Sequence, residues 1–499
     1  ALVIVSIVGY VSSLPQFKKY ADVTHTKKNT LTKSSQEVVS KLTDGLTIET
    51  YVNMFEQNYH MGTPKQYKND VRQFERYLRF KPEIKVNYHY YYHRGDFQMF
   101  NRKHAALPDD QLIDTLKRIN NWNFPIVPYS AISKDVDLSG EGFRFVRRLK
   151  RENGNSTFLR LFNDNMVSPS ETEITAAFKR LVMDLPLVGF VNGHGERQSD
   201  SRKDRGYSMI AQEKTYRYAL INQGFDFTPV TLNSEVPARV RILVIAEPRS
   251  AYTETEMLHL RQYIDRGGNL LIAGDPGKRE FTNAITEQLG VQLMPGMLVR
   301  PSTNFQADLL LQRPTLQSID FSYHLKSMLS RGILLTMSGA SGLQFDPSKG
   351  FRADTLFTVD STLAWNELET TNFIDDSVQF NPAAGEQKGL FPTVLALSRQ
   401  VNGKQQKIMV TGDADWLSNG ELNMRRNTVN SSNFPLINAC FYWMSNEEVP
   451  IDMRRPPSED NDLNLTRTGW NIAQLLLKWV YPGLLILAGL LIWMRRRGR

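Results

Sequence analysis

The sequence predicts an α/β fold in which an extracytoplasmic Rossmann-like parallel sheet domain follows a smaller N-terminal α/β domain, with transmembrane helices flanking both. Three observations carry this prediction. Strand-like and helix-like segments alternate along the chain, three of the strand-like segments are continuously apolar, and both chain ends are apolar. The 499 residues include 41% hydrophobic and 22% charged residues, as in ordinary globular proteins, and leave room for about three domains.

The smaller α/β domain is predicted over residues 18–168. Its elements are a strand over 46–52, a helix over 65–80, a strand over 84–90, a helix over 107–120 and a hairpin over 140–160. The strand–helix–strand order implies a right-handed crossover and a small parallel sheet. The aromatic run Tyr88–His93 is interpreted as sheet packing, because His89 and His93 would lie about 13 Å apart on a strand, too far to share a metal.

The Rossmann-like domain is predicted in two parts, 169–299 and 390–449, separated by an insertion or β-rich lobe over 300–389. Its elements are helices over 170–183, 207–223, 253–266, 281–289 and 434–446, and strands over 185–191, 241–246, 269–273, 391–398 and 406–411. Alternation at this pace is typical of a doubly wound parallel sheet.

The C-terminal segment 470–494 is predicted to cross a membrane after a polar linker over 450–469. Its only charge is Lys478, and at about 1.5 Å per residue a helix of this length exceeds the bilayer core of about 30 Å. The predicted membrane anchors are Trp470, Trp479, Trp493, Arg495, Arg496 and Arg497. Because positive residues stay on the cytoplasmic side, the tail 495–499 is expected in the cytoplasm of a bacterial cell and the body outside its inner membrane.

Residues 1–17 are uncharged and are interpreted as a truncated first transmembrane helix. The chain starts without Met, so we expect upstream residues, processing of a longer polypeptide, or a permease fused upstream. Residues 18–160 carry 25 Lys and Arg against 16 Asp and Glu, a basic surface that suits membrane lipid or an acidic envelope polymer. A merely solvated surface explains this charge equally well, and nucleic acid is not expected as a partner.

Three acidic loops, 192–196, 274–276 and 412–416, follow predicted parallel strands, at the edge where open α/β sheets bind ligands. The side chains that mark this candidate ligand or partner edge are His194, Glu196, Asp275, Asp413 and Asp415. Such groups can hold a metal or perform acid–base chemistry. We favour the alternative in which Asp275 and Asp413 cap helices or brace turns while His194 makes a local hydrogen bond.

Motifs for catalysis are missing from the sequence. There is no GxSxG, HExxH, GxxxxGK[ST] or post-strand GxGxxG, so neither a hydrolase elbow nor ATP hydrolysis by this chain is predicted. The single cysteine, Cys440, rules out an internal disulfide and a cysteine-rich zinc site, and its apolar neighbours predict a small core residue. No metal, cofactor or catalytic residue is therefore expected.

Six stretches together resemble a known family. They are Gly193–Glu196, Leu243–Pro248, Thr253–Tyr263, Arg266–Pro276, Thr411–Trp416 and Asn438–Glu448. In these stretches the chain resembles the auxiliary, substrate-binding-like subunits of ABC transporters typified by the gliding-motility protein GldG. The resemblance implies an extracytoplasmic α/β body flanked by membrane helices, which works with a separate permease and ATPase and has no established catalysis.

The first hypothesis is thus a non-catalytic, membrane-anchored component of an ABC transporter complex, with an envelope polymer or a peptide as further ligand. A rival from another class is a membrane-tethered hydrolase or glycan-processing enzyme that uses the acidic loops. A third is a scaffold that couples the transporter to envelope machinery. The sequence does not separate the third from the first.

Overall fold

The chain folds as a mixed α/β protein with parallel strand pairs in both of its larger sheets. The computed structural model describes residues 2–13, 20–95, 107–359, 362–376, 378–458 and 465–497. Its contacts define two units. The first comprises Ala1–Tyr20 and Thr30–Met453, and the second comprises Ala21–Asn29 and Arg454–Arg499.

The strands are β1 (Leu46–Asn53), β2 (Lys85–Tyr92), β3 (Val127–Pro128), β4 (Val146–Arg151), β5 (Ser156–Arg160), β6 (Leu187–Val191), β7 (Asp226–Val230), β8 (Val240–Ala246), β9 (Asn269–Ala273), β10 (Val291–Leu293), β11 (Met297–Val299), β12 (Leu309–Gln312), β13 (Leu335–Ser338), β14 (Leu343–Phe345), β15 (Arg352–Thr358), β16 (Trp365–Glu367), β17 (Pro392–Val401) and β18 (Lys404–Thr411).

The α-helices are α1 (Leu2–Ser13), α2 (Lys33–Ser40), α3 (Tyr67–Val71), α4 (Glu75–Phe80), α5 (Asp109–Asn120), α6 (Tyr129–Ile132), α7 (Glu171–Val182), α8 (Ser208–Gln212), α9 (Glu254–Asp265), α10 (Arg279–Thr286), α11 (Leu316–Phe321), α12 (Tyr323–Ser330), α13 (Asn419–Asn423), α14 (Phe434–Met444), α15 (Arg467–Leu475) and α16 (Tyr481–Arg497).

The smaller sheet has the strand order β3-β2-β1-β4-β5. Strands β1 and β2 are parallel, with Ile48 opposite Val86, and β4 and β5 form an antiparallel hairpin. The predicted strand–helix–strand unit and hairpin are confirmed, although a 3₁₀ turn over Arg72–Phe74 interrupts the predicted helix between α3 and α4. The aromatic run packs as predicted, since the ring of His89 stacks on Tyr51 at 4.8 Å between centroids.

The larger sheet has the order β15-β17-β18-β9-β8-β6-β7. Neighbouring strands from β18 through β7 are parallel, and β15 and β17 add antiparallel pairs at one side. Both faces of the parallel strands are buried, which explains their continuously apolar sequence: Ile242 and Val244 belong to one core cluster, and Leu243 and Ile245 to the other. The predicted strands of this sheet are therefore confirmed.

Two helix starts were predicted correctly from capping signals. At α7, Ser170 and Glu173 form a reciprocal capping box, and at α9, Thr253 and Glu256 do the same. Each box satisfies backbone N–H groups that the first helical turn leaves unpaired. Gly267, with φ +88°, follows the end of α9 as predicted.

The predicted helix over 207–223 is wrong. Only α8 and a 3₁₀ turn over Leu220–Asn222 are helical in this segment. The side chain of Asn222 donates instead to the carbonyl oxygens of Glu213, Lys214 and Tyr216. These local side-chain hydrogen bonds hold the intervening backbone as a loop, and they outweigh its apolar periodicity.

Residues 300–389 contain helices as well as strands. Helices α11 and α12 lie in this stretch, β12 pairs with β13, and β16 pairs with the preceding β11. Strand β15, from the same stretch, forms one edge of the larger sheet.

In the second unit, Arg467–Arg497 forms one helix that is long and apolar enough to cross a membrane, judged by length and composition. It consists of α15, a π-helical turn over Leu476–Val480, and α16. The turn precedes Pro482, whose missing N–H and ring disfavour a regular α-helical bond there. The first membrane helix predicted over 1–17 lies only partly within the described residues, where α1 spans Leu2–Ser13, so it stays a prediction.

Candidate functional site

The carboxyl ends of β6, β8, β9 and β18 meet at one edge of the larger sheet, because these strands are parallel neighbours. The loop after β6 is tight at Gly195, where φ is +80° and an added Cβ would lie 3.1 Å from the Cβ of Arg249. Only glycine suits that position. Because they follow parallel neighbouring strands, the three predicted acidic loops converge at this edge of the sheet.

His194 is held between two other side chains. Its Nδ1 lies 2.9 Å from Ser250 Oγ, and its Nε2 lies 3.0 Å from Glu256 Oε1. Its backbone N–H donates to Glu196 Oε2 at 2.7 Å, and Glu196 Oε1 accepts from the Tyr252 hydroxyl at 2.6 Å. The local hydrogen bonding predicted for His194 is thus observed.

The centre of the edge is an ion network around Glu247, the residue after β8. Glu247 is 1% exposed and its carboxylate pairs with the guanidinium groups of Arg197, Arg205 and Arg249. Burial alone would raise the pKa of Glu247, but these three positive groups outweigh it and lower the pKa. Its φ of 52° lies in the left-handed region, which non-glycine residues rarely adopt.

Asp413 and Asp415 both follow β18, but they have different environments. Asp415 Oδ1 accepts from Arg197 Nη1 at 2.7 Å, so it joins the ion network. Asp413 is 2% exposed, its Oδ1 accepts from the Asp415 backbone N–H at 2.6 Å, and its Oδ2 has no hydrogen-bond partner among the described residues. Burial, followed by the negative charge of Asp415, raises the pKa of Asp413 well above its ordinary value.

Asp275 follows β9 and begins a short 3₁₀ turn. Its Oδ1 accepts from the Gly277 backbone N–H at 2.8 Å, which is the capping role that the sequence favoured. Burial, followed by the charge of Glu247, raises the pKa of Asp275.

The structure therefore brings the five predicted residues to one edge but not into one ligand set. His194 and Glu196 contact each other, as do Asp413 and Asp415, whereas Asp275 makes no hydrogen bond with the other four. Across the described part of the chain, the acidic, histidine and cysteine groups close enough to share a metal ion are Glu367, Glu369 and Glu386. This set includes none of the predicted edge residues.

Hydrogen bonds link the side chains of Ser250, His194 and Glu256 in that order. Hydrolases use these residue types to activate a nucleophile. This geometry has a structural explanation, however, because Glu256 Oε2 accepts from the backbone N–H of Thr253 at 2.8 Å and so closes the capping box of α9. These hydrogen bonds order the loop. A substitution of Ser250 would test whether they also serve a hydrolase.

Sequence reasoning missed Arg197 and Glu247, the buried pair on which the edge depends. A weak signal existed, since Glu247 ends the apolar run of β8 and a charged residue there rarely stays buried without a partner. The partner itself gave no signal, because nothing in the sequence connects Arg197 with residues 50 positions away.

The predicted membrane anchors lie along the Arg467–Arg497 helix. Trp470, Trp479 and Trp493 are all exposed, and Arg495, Arg496 and Arg497 form its last turn. The helix fits membrane association, because so long an exposed apolar surface is unfavourable in water and favourable in lipid.

A family model for an ABC-type uncharacterized transport system, ABC_transp_aux, matches residues 185–311. The matched stretch contains β6, β8 and β9 and thus most of the edge, including Arg197 and Glu247. It supports an ABC transporter auxiliary protein, that is, a transport-associated component. No curated protein matches the chain in sequence.

Three solved structures are similar to this chain at low TM-scores. The mmIFT52 N-terminal domain has a TM-score of 0.36 and 16% identity, covering 52% of this chain and 97% of its own. An exo-beta-1,4-mannosidase from an Opitutaceae bacterium has a TM-score of 0.29 and 12% identity, covering 56% of this chain and 40% of its own. A thua-like protein from Parabacteroides merdae has a TM-score of 0.26 and 10% identity, covering 53% of this chain and 91% of its own. Scores this low support no inference about function.

Proposed function

We propose that this protein is a non-catalytic, membrane-anchored auxiliary component of an ABC transporter, of the GldG type, that works with a separate permease and a separate ATPase. The observation that carries the proposal is the family match over residues 185–311. The apolar helix Arg467–Arg497 on the same chain supports it, because this helix offers a means of packing against a permease within the bilayer.

The proposal includes a topology. Arg495, Arg496 and Arg497 lie in the cytoplasm of a bacterium, in accord with the positive-inside rule, and the body lies outside the inner membrane. Residues 1–17 form the outer part of a first membrane helix. The body comprises an N-terminal α/β domain over 18–168 and a Rossmann-like domain over 169–299 and 390–449.

We further propose that the edge formed by His194, Glu196, Asp275, Asp413 and Asp415 contacts a transporter partner. The buried Arg197–Glu247 pair supports this function, since it fixes the loops before any partner arrives. Arg249 and Asp415 have side chains 47% and 38% exposed, so the outer part of the network can reach a partner.

Co-purification tests the proposal. The full chain is tagged, extracted from membranes of its native host in mild detergent, and analysed by mass spectrometry. We expect an ABC permease and its ATPase to be enriched together. The matched control replaces 470–494 with an unrelated apolar span, which keeps the anchor but should reduce permease recovery.

Recovery of the intact, folded chain with neither subunit would overturn the proposal. The variant Ser250→Ala, which removes the hydroxyl beside His194, distinguishes the hydrolase alternative from the auxiliary function. The auxiliary function predicts unchanged subunit recovery in this variant, and also no turnover of glycan or ester substrates by the unmodified chain.

A further inference from the structure

A cavity of about 860 Å³ lies apart from the candidate edge. Its walls come from three regions: residues 144 and 163–165, the segment 202–218, and the segment 419–434 together with Thr336. None of the five predicted edge residues lines it. Its volume falls within the range of small-molecule binding sites, about 300–1,000 Å³.

Arginine side chains from three separate segments border this cavity. Arg144, Arg202 and Arg425 are exposed, and within the described ranges none lies in an ion pair. Guanidinium groups recognise carboxylates and phosphates through paired, charge-assisted hydrogen bonds. Arg202 and Arg425 are therefore available to an anionic ligand, and so is Arg144, although its charge also acts on the carboxyl group of Glu56.

The other two arginines of the lining are already neutralised. Arg217 Nη1 donates to Glu173 Oε2 at 2.8 Å, and Arg426 Nη1 donates to Glu421 Oε1 at 2.6 Å. They fix the walls. Glu213 is the exposed carboxylate of the lining that has no ion pair in the part of the chain described, so the unpaired charge there stays positive.

One wall of the cavity is aromatic. The rings of Tyr218 and Phe434 are stacked, with centroids 4.5 Å apart, and Tyr216 packs edge-on at 5.8 Å from Tyr218. The hydroxyl of Tyr216 is buried, so other atoms of this residue border the cavity.

We infer that this cavity binds an anionic saccharide, meaning a sugar ring that carries carboxylate or phosphate groups. The three arginines take the anionic groups of the ligand. The negative faces of the aromatic rings attract the polarised C–H groups of a sugar. Side-chain amides such as Asn165 and Asn423 offer donors and acceptors for the sugar hydroxyls.

This inference goes beyond the proposed function, because the purified chain binds its ligand without a permease or an ATPase. The test is calorimetric titration of the full chain in detergent. The probes are trigalacturonate for carboxylates, glucose 6-phosphate for phosphates, maltotriose as a neutral α-1,4-linked trisaccharide, and tetraglutamate as an acidic peptide. We expect at least one anionic sugar to bind about tenfold or more tightly than maltotriose and tetraglutamate, with an affinity that falls as salt rises.

Two sets of variants locate the site. Removing both charges with Arg202→Gln and Arg425→Gln should weaken binding about tenfold or more, since each charge-assisted bond is strong. The matched control, Arg239→Gln with Arg261→Gln, removes two exposed arginines outside the cavity lining and should leave binding unchanged.

Failure of both anionic sugars to bind the folded chain would overturn the inference. Equal or tighter binding of maltotriose or tetraglutamate would also overturn it, the latter in favour of an acidic peptide. So would undiminished binding in the Arg202→Gln/Arg425→Gln variant, which would place the ligand elsewhere. None of these results bears on co-purification with transporter subunits.

Discussion

Glu247 is the residue on which the candidate edge depends. It is almost fully buried, it has a left-handed backbone conformation, and its carboxylate holds three guanidinium groups that come from two loops. A buried ion pair contributes little net stability compared with an apolar pair, but removing one partner leaves an uncompensated charge.

Replacing Glu247 with Gln should therefore reduce the free energy of unfolding by about 3 kcal/mol, because Arg197 would lose a buried negative partner. Chemical denaturation of the purified chain measures this loss. The matched control is Asp354→Asn, which breaks the exposed Arg352–Asp354 pair and should cost less than about 1 kcal/mol. Equal losses in the two variants would show that the network does not hold the edge together.

The raised pKa of Asp413 leads us to expect that the stability of the protein depends on pH. Its pKa is raised in the folded chain, so the folded state retains a proton at pH values where the unfolded chain has released it. The contribution of Asp413 to stability is therefore full below its ordinary pKa of about 4 and falls as the pH rises above it. Asp413→Asn should flatten this fall and raise the melting temperature at neutral pH.

Thermal melting across a pH series tests this expectation. Asp200→Asn, at an exposed carboxylate, is the control and should melt like the unmodified chain at every pH. A melting temperature for Asp413→Asn that is lower than that of the unmodified chain at neutral pH would contradict the account.

At the residue scale, the sequence predicted contacts that are local in the chain. Asp275 caps the turn that follows it, and Asp413 braces the next two residues, because short polar side chains bond to nearby backbone N–H groups. The link between Arg197 and Asp415 could not be predicted, since it joins loops more than 200 positions apart. Only the strand order of the sheet places those loops together.

At the element scale, helices with strong caps were predicted to within a few residues, whereas the helix over 207–223 was wrong. Capping boxes are encoded within four consecutive residues, as at Ser170 and Thr253. The loop that replaces the predicted helix is held by Asn222, whose three backbone carbonyl partners no periodic pattern records.

Asn222→Ala should free this loop. The variant loses hydrogen bonds from a side chain that is 7% exposed, so we expect a cost of about 2 kcal/mol, with faster amide hydrogen exchange concentrated in 213–218. The control Asn153→Ala, at an exposed turn, should leave exchange in 213–218 unchanged. Protection of 213–218 that survives Asn222→Ala would show that other contacts hold the loop.

At the scale of the whole molecule, hydropathy patterning predicted both sheets and the C-terminal apolar helix, because burial on two faces requires continuous apolar runs and spanning requires a long one. The path through 300–389 was less predictable, since its short strands pair with distant segments, as β15 does with β17. We propose that the helix Arg467–Arg497 anchors a body on the outer side of the inner membrane.

Cysteine labelling in intact cells tests this topology. Cys440 is fully buried, and burial raises the pKa of its thiol, so it should stay silent towards a membrane-impermeant maleimide. Two single variants place exposed thiols at opposite ends of the predicted topology, Ser234→Cys in the body and Arg497→Cys at the helix end. In intact cells whose outer membrane is permeabilised, we predict labelling at position 234 and protection at position 497 until lysis. Protection at 234 with labelling only after lysis would place the body in the cytoplasm and contradict the account.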